Sequence, residues 1–143
     1  MSLHNDNALV VALDTSTDML ACAASWIDGQ TGETKLVSGD HMCRRHANVE
    51  LVNTVDGVLA QAGLDRSDVG CYVVGRGPGS FTGVRIGIST AKGLARGANV
   101  PLLGVSTLDA CAWTVWKAGV RGKLGILADA MRGEVYPALY MLV

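Results

Sequence analysis

The sequence predicts an α/β domain: a mixed five-stranded sheet, three antiparallel strands followed by parallel ones, with helices packed on it. Three features carry that expectation. The first third of the chain holds strand-length apolar runs joined by short polar turns, the pattern of an antiparallel meander. Beyond it, helical stripes alternate with short apolar runs, and such strand–helix–strand units require parallel pairing through right-handed crossovers. A glycine-rich turn, Gly75-Arg76-Gly77-Pro78-Gly79-Ser80-Phe81-Thr82-Gly83, stands at one of the strand-to-helix junctions.

Residues 8–13 form a continuous apolar run, as a strand buried on both faces requires. The polar turn Asp14-Thr15-Ser16-Thr17-Asp18 leads into a second strand over 19–27. Asp28-Gly29-Gln30-Thr31-Gly32 then reads as a hairpin loop into a third strand around 34–38. Val52, Val55, Leu59 and Ala62, flanked by Leu51 and Val58, make one helical stripe that stops at Gly63. Residues 71–74 are a short buried strand, 82–98 a helix and 102–105 the next strand. Ser106 with Asp109 has capping-box spacing, Asp replacing the usual Glu, and opens a helix with Leu108, Cys111, Ala112, Val115 and Trp116 inward. Strands over 123–128 and 134–142 close the chain. We read residues 1–122 as one lobe and 123–143 as the beginning of a truncated second lobe.

Composition narrows the class. With 49% hydrophobic and 17% charged residues among 143, the chain has the make-up of a globular domain with a real core. A formal net charge of -1 gives no global attraction to phosphates, so contact with a nucleic acid would be local or made by a partner. The apolar runs are too short for a membrane span, and the polar residues 1–7 do not resemble a signal peptide. Cys22, Cys43, Cys71 and Cys111 lie far apart with no CxxC pair, as expected of reduced thiols in a cytoplasmic protein.

The glycine turn admits two readings. Backbone N–H groups and a helix dipole between strand and helix make an anion site, with Gly77, Gly79, Ser80 and Thr82 as candidate phosphate-binding residues. Alternatively it is a tight turn that brings helix and sheet together. It is neither a Walker loop nor a dinucleotide fingerprint, and Ser80 is not in a GxSxG elbow. Asp14, at the end of the first strand beside Thr15 and Thr17, either joins a metal–phosphate site with these hydroxyls or, together with Thr17, satisfies the turn's own backbone.

The following helix carries three stripes. Val84, Ile88, Ala91, Ala95 and Ala98 are apolar and expected against the sheet; Arg85, Ser89, Lys92 and Arg96 are polar and mostly basic. Gly83, Gly87, Thr90, Leu94 and Gly97 form a third, mostly small stripe. Each helical glycine costs up to about 1 kcal/mol against alanine, so this stripe implies close approach by a neighbour. That neighbour is either the domain's own first helix or a helix of another subunit. His41, Cys43 and His46 make an unconvincing metal set, and no HExxH or HxxxH spacing occurs.

Three segments resemble the TsaB (YeaZ) family in order and spacing. They are Leu13-Asp14-Thr15-Ser16-Thr17, the glycine turn continuing through Val84-Arg85-Ile86-Gly87, and Gly104-Val105-Ser106-Thr107-Leu108. Asp129-Ala130-Met131-Arg132-Gly133-Glu134-Val135-Tyr136 and His46 also match family positions, so the resemblance covers nearly the whole chain. It implies an actin-like, RNase H-like fold of two lobes. It further implies a place in the bacterial machinery that attaches threonylcarbamoyl to adenosine beside the tRNA anticodon. In that machinery a TsaD-type subunit holds the metal and performs the transfer, a TsaE-type subunit is the ATPase, and this family is a non-catalytic partner.

On this resemblance the chain has no catalytic residue, metal or cofactor of its own, binds ATP or ADP only in the assembled complex, and meets tRNA only through it. The implied partner surface, for a TsaD-type subunit or a second copy, is helical and comprises Val52, Val55, Leu59, Gly83, Gly87, Thr90, Leu94 and Gly97. One rival reading is an active phosphotransferase or ATPase of the actin-like superfold using Asp14. Such kinases place a glycine where this chain has Ser16. A glycoprotease-type metallopeptidase, the other rival, lacks its ligand spacing here.

Overall fold

The computed structural model describes residues 9–42 and 47–143. Strands β1 (Leu9–Asp14), β2 (Met19–Ile27) and β3 (Thr34–Met42) form the expected antiparallel meander. Helix α1 (Ala47–Gln61) and a single 3-10 turn at Arg66–Asp68 lead to β4 (Val69–Gly75). Helix α2 (Phe81–Ala98) then crosses to β5 (Leu102–Val105), which is followed by α3 (Thr107–Lys117). Both β4 and β5 pair in parallel, giving one five-stranded sheet in the order β3-β2-β1-β4-β5. The fold is therefore the mixed α/β architecture that the alternation of patterns predicts.

The core lies on one face of this sheet. Leu9, Val11 and Leu13 from β1, Leu20, Cys22 and Ala24 from β2, and Val69, Tyr72 and Val74 from β4 all point to it. Helix α1 covers it with Leu51, Val55, Val58 and Leu59, and α2 with Ala91 and Ala95. Burial pushes the Cys22 thiol up to about 11, so it behaves as a small apolar side chain.

Helix ends follow local chemistry. The Ser80 hydroxyl accepts from the Gly83 N–H and caps α2, and Ser106 accepts from the Asp109 N–H at the start of α3. Gly63, with φ +71, takes the left-handed conformation that ends α1.

Two sequence expectations need correction. Cys111 is exposed on α3, whose buried residues are Leu108 and Ala112, with Val115 and Trp116 half-buried. Strands also run further than their apolar cores, β3 to Met42, β4 from Val69 to Gly75 and β6 from Gly122 to Met131, because ladder pairing extends past the hydrophobic run.

Strands β6 (Gly122–Met131) and β7 (Glu134–Leu142) form a separate two-stranded antiparallel sheet beside α3. The Tyr140 hydroxyl donates to Asp109 at 2.6 Å, which pushes its pKa up to about 12. The Trp116 indole donates to the Val143 carbonyl at 2.8 Å. Among the described residues no helix is long and apolar enough to cross a membrane.

Candidate functional site

Parallel pairing brings the carboxyl ends of β1, β4 and β5 side by side, the region where open α/β sheets place their ligands. Here Asp14 ends β1, Gly75 ends β4 and Val105 ends β5. The Asp14 carboxylate uses both oxygens within the chain. Oδ1 accepts from the Ser16 N–H at 2.7 Å, and Oδ2 accepts from the Thr107 hydroxyl at 2.6 Å. Asp14 thus closes its own turn and ties β1 to the first residue of α3.

The turn after β1 presses directly into the glycine segment. Ser80 donates its N–H to the Ser16 carbonyl at 2.6 Å, and the Thr15 hydroxyl donates to the Gly83 carbonyl at 2.6 Å. The Thr107 N–H donates to the Gly77 carbonyl at 2.9 Å, and the Arg76 N–H to the Val105 carbonyl at 2.9 Å. Thr15 and Ser16 are both 3% exposed, so the centre of this junction is buried. The Ser16 hydroxyl inside it has no hydrogen-bond partner among the described residues.

Sterics explain the glycine spacing. A Cβ on Gly75 would collide with the Asp14 carboxylate, on Gly79 with the Ser16 carbonyl, on Gly83 with the Thr15 carbonyl and on Gly87 with the Thr15 hydroxyl. Four glycines at four-residue intervals therefore form a track on which the 14–16 turn lies. A Cβ on Gly93 or Gly97, further along the same helix, would meet nothing within 4 Å.

The candidate phosphate-binding residues separate into two groups. Asp14, Thr15, Gly77, Gly79 and Ser80 share the junction, and the N–H groups of Ser80, Gly83 and Val84 are already bonded within the chain. Thr82 is exposed and lies instead on the outer surface of α2 with Phe81 and Arg85. Beside the junction, a groove of about 390 Å³ runs past Asp14, Asp40, Ser38, Gly75 and Ser106. Thr107 and Ser16 are junction residues that the sequence placed in family-like segments without assigning either a role at the site.

The expected partner surface requires correction. Val55 and Leu59 are 0% and 1% exposed and belong to the core, and Val52 is half-buried. Gly87 is buried and Gly83 half-buried under the 14–16 turn, while Thr90 and Leu94 are also half-buried. Of that set Gly97 alone is exposed. The physical reason is the rotation of α2: its inward line runs through Gly87, Ala91 and Ala95, leaving Ala98 exposed. The outward line carries Phe81, Thr82, Arg85, Ser89, Lys92 and Arg96.

The imagined metal set falls outside what can be placed: Cys43, His46 and the side chain of His41 are not among the described residues. Among the described residues no group of three or more His, Cys, Asp or Glu side chains is positioned to hold a metal.

Residues 41–143 match the family described as TsaD: tRNA N6-adenosine threonylcarbamoyltransferase. The chain is 39% identical over 132 residues to the tRNA threonylcarbamoyladenosine biosynthesis protein TsaB of Escherichia coli (strain K12), covering 92% of this chain and 54% of that protein. It is 35% identical over 130 residues to the protein of the same name from Haemophilus influenzae, covering 91% and 52%. The solved structure of YeaZ from Pseudomonas aeruginosa superposes with a TM-score of 0.80 at 34% identity, covering 95% of this chain and 61% of that one. The chain thus spans about half the length of the curated relatives it matches.

Proposed function

This chain belongs to the family described as TsaD: tRNA N6-adenosine threonylcarbamoyltransferase and is of its TsaB (YeaZ) type, and on that footing we propose that it serves tRNA threonylcarbamoyladenosine synthesis as a non-catalytic partner of a TsaD-type subunit. The observation that supports a non-catalytic role is the state of Asp14. Both its oxygens are hydrogen-bonded inside the chain, so it serves as a clamp between β1 and α3. Nucleotide or phosphate at the groove beside Asp14 belongs, in this reading, to the assembled complex with a TsaE-type ATPase. The setting is cytoplasmic, and tRNA is reached through the partner.

The pairing surface in this reading is the outward line of α2. Phe81 is 75% exposed at its start, with the Arg85 guanidinium 5.0 Å from its ring centroid. An exposed aromatic beside arginine is the composition of an interface anchor. We expect a full-length protein carrying this chain to co-purify with a TsaD-type subunit. Phe81→Ala should weaken that association by roughly tenfold or more with an unchanged melting temperature. Undiminished association of the variant would move the contact elsewhere, and no association of the parent protein would refute the pairing itself.

A further inference from the structure

One face of the separate two-stranded sheet is apolar and uncovered. Side chains alternate between the two faces of a strand. The pairing of β6 with β7 therefore sets Leu139 beside Gly125, and Met141 beside Lys123, on the face that carries Leu127 and Asp129. Leu127 is 68% exposed, Leu139 76% and Met141 60%. The opposite face turns to α3, with Leu142 buried and Tyr140 bonded to Asp109. A contiguous exposed apolar face marks a contact surface, and a two-stranded sheet gains stability when such a face is covered.

This face complements itself. Along β6 it reads Lys123, Gly125, Leu127, Asp129, with a cation at one end and an anion at the other. Gly125 leaves a gap, since a Cβ there would meet nothing within 4 Å, and Leu127 projects beside it. Consider a second copy laid face to face, related by a two-fold axis that runs across the strands at the level of Ile126. Leu127 of each copy then enters the gap at Gly125 of the other. The same axis sets Lys123 against Asp129 at both ends of the contact. Ile126 pairs with Ala138, so on β7 the axis lays Leu139 over Pro137 and Met141 over Val135. One register thus satisfies both shape and charge, as a self-complementary two-fold contact requires.

We propose that two copies of this chain associate through this face, β6 against β6 and antiparallel, as a sandwich of two small sheets. Strands of ten and nine residues present roughly 300–500 Å² per copy, against about 800 Å² in a standard interface, so the dimer is weak. The contact shares no residue with the outward line of α2, and it stands whether or not the pairing proposed above is correct.

Sedimentation equilibrium of this chain, from micromolar to millimolar concentration, reads the association. A monomer–dimer equilibrium is expected. Leu127→Asp should abolish it with an unchanged melting temperature, because the side chain is already exposed in the single copy. Gly125→Val adds apolar surface and strand propensity, yet by filling the gap it should weaken the dimer by about tenfold. Lys123→Glu and Asp129→Lys, each alone, oppose like charges and should weaken it by roughly three- to tenfold. An equimolar mixture of those two variants restores both opposite-charge pairs and should associate as the parent does. Phe81→Ala should leave the dimer unchanged. The proposal is overturned if the chain stays monomeric at millimolar concentration, which would leave the face to a different protein. It is equally overturned if the dimer survives Leu127→Asp, if Gly125→Val tightens it, or if the mixture fails to restore it. Loss of the dimer in Phe81→Ala would place the contact on α2 and refute this one.

Discussion

Gly83→Ala is expected to destabilise the fold by about 2–3 kcal/mol, although alanine is the better helix former. The added methyl meets the Thr15 carbonyl, a backbone atom in a turn that Asp14 and Ser80 hold by hydrogen bonds. A backbone neighbour cannot swing aside as a long side chain would, so helix and turn must part. Parting them also lengthens the bond from the Thr15 hydroxyl to the Gly83 carbonyl. Gly97→Ala, in the same helix, is the internal control: its methyl meets nothing within 4 Å. It should stabilise the protein by about 0.5–1 kcal/mol through helix propensity alone. Urea unfolding of both variants checks the pair. Equal and small effects at the two positions would mean that the glycine track is not a packing device.

The second large effect is expected at Asp14. Asp14→Ala strands the Ser16 N–H and the Thr107 hydroxyl, and should cost about 3 kcal/mol, since bonds to a carboxylate are the stronger kind. Thr107→Val, which removes one of those bonds, should cost about 1–2 kcal/mol. Because the two residues share a bond, the double variant should cost less than the sum of the singles. Denaturant unfolding of the four proteins gives the coupling directly. An Asp14→Ala protein as stable as the parent would instead suit a carboxylate held free for phosphoryl transfer.

The order of elements was legible in the sequence because apolar period changes from strand-like to helix-like after the third strand, and short turns left few ways to connect the sheet. The glycine series was legible as a demand for close approach, but not the identity of the neighbour. At Gly83 and Gly87 that neighbour is the 14–16 turn, and not the first helix or another subunit's helix as expected; it lies some sixty to seventy residues away along the chain, and no local pattern reports such a distance. The stripe through Gly83 and Gly87 and the stripe through Val84 and Ile88 differ by one helical step. Which of them faces inward depends on where the 14–16 turn sits, so the predicted partner surface was placed on residues that pack internally. Val55 and Leu59 were misassigned for a related reason: an apolar helix face reads the same whether its own sheet or another protein covers it.

Threonylcarbamoyladenosine in the tRNA of bacterial cells is the most direct readout of the proposed role. The cells should have their own TsaB replaced by a full-length protein carrying this chain. Mass spectrometry of digested tRNA should find the modified nucleoside restored when a TsaD-type subunit is present and missing when that subunit is depleted. Unmodified tRNA despite a folded, expressed replacement, or modification that persists without the TsaD-type subunit, would contradict the role of a non-catalytic partner.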